Sequence, residues 1–414
     1  MNQDIYKIID YSINQSKPDI ALRKYLKDIS FNDGRLFVIA VGKASWLMAK
    51  TVTEIVNKKI DKGIIITKYN YSNGIIQDFE IYEAGHPIVD ENSLIATKRV
   101  LEVTKNLNVN DDVLFLLSGG ASALFEDADV NLNYLQQINK NLINSNADIQ
   151  EINTIRKRLS NVKGGKFARH CYPATVHNFI LSDVVSDQLD SIASGPTVND
   201  STSKKQVINI NKKYNLNLPE SIINNDTINN LDNVNNTLIG SVKMLANNLK
   251  DICIKKGYTT TIVEDDVNYS YKVLYDKLID LAFNNQNPSN KLAFIFTGEI
   301  TIEVKGSGLG GRNQHLALLC VEKFKDLNNT TLVCVGSDGS DGPTDAAGGY
   351  VDNYTYQKAL SLRININEYL NNYDSYNCLK KLDQLIITGP TNTNVNDFYL
   401  LLIGWAYLSS FLNI

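Results

Sequence analysis

Six short apolar runs in this sequence each break into small residues that carry a functional group. Residues 36–41 run into Gly42-Lys43-Ala44, 113–117 into Ser118-Gly119-Gly120-Ala121-Ser122, and 175–181 into Ser182-Asp183. Further on, 292–296 is followed by Thr297-Gly298-Glu299, 331–335 by Gly336-Ser337-Asp338-Gly339-Ser340-Asp341-Gly342, and 385–388 by Gly389-Pro390-Thr391. Glycine lets a backbone approach a ligand closely, and the helix that follows such a turn offers unpaired N–H groups to anions. One such turn is ordinary punctuation. Six that carry Lys, Ser, Asp and Glu point to a ligand crevice at the carboxyl ends of strands in an α/β sheet.

The chemistry on offer is anion and metal chemistry. The Ser118–Ser122 turn presents donors with little side chain in the way. Arg156, Lys157, Arg158, Lys163, Gly164, Gly165 and Lys166 form a basic stretch around a Gly-Gly pair. Together they could cradle phosphates, although cations at a helix C-terminus are also simply favourable there. Asp338, Asp341 and Asp345 could hold Mg²⁺ through oxygen, or they could belong to an Asp/Gly-rich turn. Asp183 and Asp187 make a second acidic turn. No GxxxxGK[ST] segment and no protein-kinase signature is present. Ser122 lies in GGASA rather than GxSxG, so a serine-hydrolase reading is weak, and His86 and His315 receive no chemical role. Gly306 to Gly311 spells G-x-G-x-x-G after an expected strand at 301–305, the context of a dinucleotide turn. Arg312 and Asn313 follow it at once, and a guanidinium there suits a transferring phosphoryl group better.

These residues need a scaffold. The chain has 414 residues, 43% of them hydrophobic, with a formal net charge of -4. That is enough for two packed domains, and it excludes wholesale disorder and a generally basic nucleic-acid surface. The five cysteines form no CxxC pair, which fits a reducing cytosol, and the N-terminus has no signal-peptide pattern. The uncharged run 398–414 reads as a buried strand with a docked apolar tail, or a dimer contact, rather than a membrane anchor. Apolar runs alternate with helix-like stretches at 45–56, 93–104, 132–142, 242–256, 271–283 and 313–324, which predicts βαβ units around largely parallel sheets. The polar segment 199–236, with some helix near 204–214, reads as a connector. It divides the chain into domains 1–235 and 236–414.

The ordered motifs resemble the type II glycerate kinases, the MOFRL-domain glycerate 2-kinases, some of which carry the label hydroxypyruvate reductase. VGKAS at 41–45, AGHPIVDENS at 84–93, LSGGASAL at 117–124 and IRKRLSNVKGGKFA at 155–168 carry the resemblance. So do LSDVVSDQLDSIASGPT at 181–197, TGEITIEVKGSGLGGRNQHLAL at 297–318, GSDGSDGPTDAAGG at 336–349 and GPTNTNVND at 389–397. Ser186, Ile300 and Asn392 depart from the family's pattern. The resemblance implies two α/β domains, an N-terminal Rossmann-like three-layer sandwich and a C-terminal MOFRL domain, with the active site in the cleft between them. It also implies transfer of the γ-phosphate of ATP to the 2-hydroxyl of D-glycerate with Mg²⁺.

By that resemblance Lys43, Arg312, Asp183 and Asp338 are the expected catalytic residues. Ser118, Gly119, Gly120, Ser122, Lys163, Gly164 and Gly165 are expected to face the nucleotide. Arg156 and Asn313 are expected to bind substrate, with Arg156 as a clamp for the carboxylate. The competing expectation is an NAD(P)H-dependent hydroxypyruvate reductase built on Gly306–Gly311. A cytoplasmic monomer or homodimer is expected, with no nucleic-acid or membrane partner.

Overall fold

The computed structural model describes residues 3–182, 188–286 and 289–404. The chain forms two compact units. One is Pro18–Ile239; the other joins Met1–Lys17 to Gly240–Ile414. The first helix, Gln3–Gln15, therefore belongs with the later part of the chain, a placement that a division at 235/236 does not contain. Asn248 Nδ2 donates to Ser16 Oγ at 3.1 Å, and Thr393 Oγ1 donates to the Ser16 carbonyl at 2.7 Å.

The Pro18–Ile239 unit is built on one sheet. Its strands are β1 (Leu36–Val41), β2 (Lys62–Lys68), β3 (Phe79–Ala84), β4 (Asp112–Leu117), β5 (Thr175–Leu181) and β6 (Val234–Gly240), in the spatial order β3-β2-β1-β4-β5-β6. The pairings from β3 through β5 are all parallel. Every residue of β1 and β4 is buried, because helices cover both faces. Phe37, Ile39 and Val41 pack with Ala96 and Val100 of helix Glu91–Val103. Leu36, Val38 and Ala40 pack with Met48, Ala49 and Val52 of helix Ser45–Ile55 on the opposite face. Alternation along one strand thus feeds two cores, at roughly 1.5–3 kcal/mol for each large apolar side chain buried. The chain runs outward one way through β1, β2 and β3 and the other way through β4, β5 and β6. The crevice of such a sheet opens where the order reverses, between β1 and β4.

The segment expected to be a connector is part of this unit. Val207 and Ile210 of helix Lys204–Lys213, with Leu216 and Leu218, pack on Ile152, Ile155 and Leu159 of helix Ile149–Leu159. Its apolar residues are sparse but fall on one face, a signal that its Asn and Lys content hides.

The other unit carries β7 (Thr259–Val267), β8 (Leu292–Gly298), β9 (Thr330–Gly336), β10 (Gly348–Asp352), β11 (Leu385–Ile386) and β12 (Asp397–Ile403), in the order β11-β10-β9-β12-β8-β7. Only β7–β8 is parallel; the remaining pairings are antiparallel. The expectation of largely parallel sheets is corrected here. β10 folds back beside β9, and β12 returns between β8 and β9. β12 is wholly buried, in keeping with the apolar run that begins at Phe398; residues 405–414 lie outside the described ones. Its register sets Asp397 opposite both Gly298 and Gly336, so this carboxylate sits at the carboxyl ends of β8 and β9. The strand expected at 301–305 does not form; Thr301 makes one isolated bridge to Ser270. No described helix is long and apolar enough to cross a membrane.

Candidate active site

In the Pro18–Ile239 unit the turns after β1 and β4 are bolted together. Lys43 N donates to the Gly119 carbonyl at 2.9 Å, Ala44 N donates to Ser118 Oγ at 3.1 Å, and Ser118 Oγ donates to the Val41 carbonyl at 3.3 Å. Gly42 adopts φ of 122°, and a Cβ there would stand 2.2 Å from Ser118 Oγ, so this approach requires glycine. The Ser118 hydroxyl thus holds the Lys43 turn, at the edge of the cavity described next. Lys43 makes no ion pair with any described carboxylate.

His86, which sequence reasoning left without a role, stands beside them: a Cβ on Gly120 would lie 3.0 Å from the His86 ring and 3.5 Å from Lys43 Cγ. Burial pushes the His86 imidazole down to about 4, helped by the charges of Lys43 and Lys68.

A cavity of about 180 Å³ opens beside this turn. Its wall includes Ser118–Ser122, Asn153, Arg156, Ser191 and Ala193. Arg156 Nε donates to Asn139 Oδ1 at 2.7 Å, which leaves both Nη groups without a partner among the described residues. Asn153 is 4% exposed; its Oδ1 accepts from Ser194 Oγ at 2.9 Å and its Nδ2 has no partner among the described residues. The structure therefore brings Arg156 and the glycine turn together and adds Asn153, which the sequence did not single out. A guanidinium, an amide donor and small residues suit a small anion bearing hydroxyls.

Lys163, Gly164 and Gly165 are elsewhere. Lys163 is fully buried, and its Nζ donates to Glu126 Oε2 at 2.5 Å and to the Phe125 carbonyl at 2.9 Å. Burial lowers its pKa, against the opposing pull of Glu126. Gly164 N and Gly165 N donate to the carbonyls of Ser194 and Gly195 at 3.0 and 2.8 Å. Among the described residues these donors are turned inward, to Glu126, Phe125, Ser194 and Gly195, where they hold the loop together. Lys157 is likewise buried against Asp200 at 2.9 Å. Asp183 and Asp187 lie outside the described residues.

In the other unit, helix Arg312–Phe324 begins beside the ends of β8 and β9. Arg312 Nε and Nη2 donate to Asp397 at 2.6 and 3.2 Å, and Nη1 donates to Glu299. Burial works against the guanidinium's charge, but Asp397 and Glu299 outweigh it and raise its pKa. Asp397 is 3% exposed and its carboxyl is pushed up by burial, with Arg312 pulling it back. We take the pair as ionised, because a fork–fork contact of this kind needs the carboxylate. Asp397 and Glu299 both lie in family-like blocks, yet nothing in the sequence marked them as partners of Arg312.

The three carboxylates of the acidic loop have separate partners. Asp341 is 3% exposed and caps the helix: Asn313 N and Gln314 N donate to its two oxygens at 3.1 and 2.8 Å. Burial raises its carboxyl to about 7 despite those bonds. Asp345 is exposed and accepts from Tyr376 Oη at 2.8 Å, while Asp338 is exposed and accepts from Ser340 N at 2.9 Å. Among the described residues no three His, Cys, Asp or Glu side chains are arranged to hold a metal. Of the expected Asp338–Asp341–Asp345 set, Asp341 is committed to the helix start, and the three carboxylates bond to different partners. Asn313 is buried at the start of this helix, and its side chain helps to hold down the pKa of the Asp397 carboxyl beside Arg312.

A second cavity, of about 400 Å³, is lined by Ile302, Val304, the 308–311 turn, Arg312, His315, Asp338 and Tyr373 among others. A Cβ on Gly306 or Gly308 would strike the backbone of Asn372 at 2.3 and 2.5 Å. These glycines permit close packing against 372–375, with no strand before them, so the dinucleotide context is absent.

Residues 4–225 match the domain of unknown function DUF4147, and residues 292–397 match the MOFRL family. The chain is 43% identical over 406 residues to D-glycerate 2-kinase of Thermotoga maritima, covering 96% of this chain and 97% of that one. It is 36% identical to glycerate 2-kinase of Pyrococcus horikoshii, over 89% of this chain and 88% of that one. The crystal structure of Thermotoga maritima glycerate kinase superposes with a TM-score of 0.92 at 42% identity, over 97% of this chain and 99% of that one. A Rossmann-like sheet followed by a MOFRL unit, and likeness along nearly the whole length, place this chain in the DUF4147–MOFRL family of glycerate 2-kinases.

Proposed function

We propose that this chain transfers the γ-phosphoryl group of ATP to the 2-hydroxyl of D-glycerate, giving 2-phosphoglycerate and ADP. The observation that carries the reading is a pair of fixed, partly exposed cations. Lys43 is set by the Ser118–Gly119 turn and Arg312 by Asp397, in a chain alike end to end to a D-glycerate 2-kinase.

Phosphoryl transfer demands that charge on the moving group be neutralised and the acceptor oxygen be held in line. Lys43 and Arg312 supply the neutralisation. Arg156 and the Asn153 amide hold the carboxylate and hydroxyls of the acid. The 2-hydroxyl oxygen bonds to the γ-phosphorus as the bond to the bridging oxygen of ADP breaks, and the hydroxyl proton passes to a carboxylate. Asp338 is an exposed candidate for that acceptor, and Asp183 is the other expected one. Mg²⁺ enters as part of the MgATP substrate, since a Mg²⁺ on triphosphate needs only one or two protein carboxylates.

The test is a coupled assay for ADP. ADP release should require D-glycerate and Mg²⁺, and NADH with hydroxypyruvate should show no absorbance change. NADH oxidation without ADP release would replace the kinase reading by a reductase.

A further inference from the structure

Resting on the kinase reading, we infer that the base and ribose of ATP are received by the 400 Å³ cavity at Ile302, Val304, His315 and Tyr373. The cavity at Ser118–Ser122 and Arg156 takes the three-carbon acid instead. This reverses the roles that the sequence suggested for the glycine turn of the Rossmann-like unit.

Size decides first. Sites that enclose a ligand as large as a nucleotide run from roughly 300 Å³ upward. The cavity at Arg312 has about 400 Å³, whereas that at Arg156 has about 180 Å³. The smaller one has the size for a short hydroxy acid, and the larger one has the size for a nucleoside.

The linings agree with that division. The larger cavity offers apolar walls in Ile302, Val304 and Pro343 and an aromatic pair suited to a planar base. His315 stacks on Tyr373, with ring centroids 4.9 Å apart and an interplanar angle of 11°, and Tyr271 meets the same imidazole edge-on at 5.2 Å. The pair is thus held as one rigid surface. Two polar atoms in this wall, His315 Nδ1 and Ser375 Oγ, are buried without a partner among the described residues, a cost that a polar heterocycle can relieve. Arg312 stands in the same wall, so a base bound there leads its phosphates toward the guanidinium. In the smaller cavity Arg156, the Asn153 amide and the hydroxyls of Ser122 and Ser191 suit a carboxylate and a hydroxyl, and its described lining holds no aromatic ring on which a base could stack.

The experiment titrates MgATP alone into the full-length protein by calorimetry and, separately, measures KM for D-glycerate. Val304 is 60% exposed, so Val304→Trp fills the cavity without disturbing the core; Ile302→Trp is the second variant. Both should weaken MgATP binding by about tenfold or more while KM for D-glycerate changes by less than about twofold. Arg156→Met should raise KM for D-glycerate by about tenfold or more and leave MgATP binding unchanged. Unchanged MgATP binding in both tryptophan variants overturns the assignment, as does weakened MgATP binding in Arg156→Met. A wild-type protein that binds MgATP, loses it in Val304→Trp, yet forms no ADP with D-glycerate would keep this site and remove the kinase reading.

Discussion

The amide of Lys43 donates to the carbonyl of Gly119 at 2.9 Å, and the next amide, of Ala44, donates to Ser118 Oγ at 3.1 Å. The loops after β1 and β4 are therefore one piece, and the lysine is placed by a serine in the turn that follows the neighbouring strand. Lys43→Ala should lower kcat by about 10²-fold with the fold intact. Ser118→Ala loses two side-chain bonds, each worth about 1 kcal/mol, and should lower kcat by about tenfold. Because Ser118 acts through Lys43, the double variant should be little worse than Lys43→Ala, and a cycle of kcat values checks this. Fully additive losses would mean that the serine acts on its own.

Arg312 depends on Asp397 in the same way. Asp397→Asn should release the guanidinium and lower kcat by about 10²-fold, close to the effect of Arg312→Ala. It should also cost about 2–3 kcal/mol of stability, because a buried charge partner is removed. Urea midpoints and kcat on the same samples separate the two effects. Normal turnover in Asp397→Asn would show that Arg312 needs no brace.

Lys163 is a stability residue here. Lys163→Met strands Glu126 in the interior and should cost about 3–5 kcal/mol, while KM for ATP in the surviving folded protein stays near wild type. Adding Glu126→Gln should restore part of the loss, read as a partial return of the urea midpoint. A raised KM for ATP at unchanged stability would return Lys163 to the nucleotide.

His86 and His315 are both held near 4 by burial, with Lys43 and Lys68 adding to the effect at His86. The unfolded chain takes up protons near pH 6.5, before the folded one does. Stability should therefore fall as pH drops from about 6.5 toward 4, with these two imidazoles contributing in that window. Both rings should be neutral at pH 7 and titrate near 4 in an NMR experiment. A midpoint near 6.5 for His86 would place it in solvent, away from Lys43.

The sequence showed some of this and hid the rest for physical reasons. β1 and β5 were legible to the residue, because parallel strands buried on both faces read as unbroken apolar runs that end in glycine or serine. β3 and β7 were missed: their half-buried residues include Glu80, Glu83, Glu264 and Asp265, which break the apolar pattern. Arg156 and Lys163 looked alike in one basic stretch. Only the packed structure separates the first, which lines a cavity, from the second, which is buried on Glu126. Asp341 looked like a metal ligand because a carboxylate that caps a distant helix has no local signature. Asp397 is invisible as a partner of Arg312 until β12 is seen to run antiparallel between β8 and β9.

The most direct test of the central claim is phosphorus NMR of the product formed from D-glycerate, MgATP and the full-length protein. The account predicts a single phosphomonoester resonance that matches 2-phosphoglycerate, appearing together with ADP. A resonance matching 3-phosphoglycerate, or no phosphomonoester while NADH and hydroxypyruvate are consumed, would contradict it.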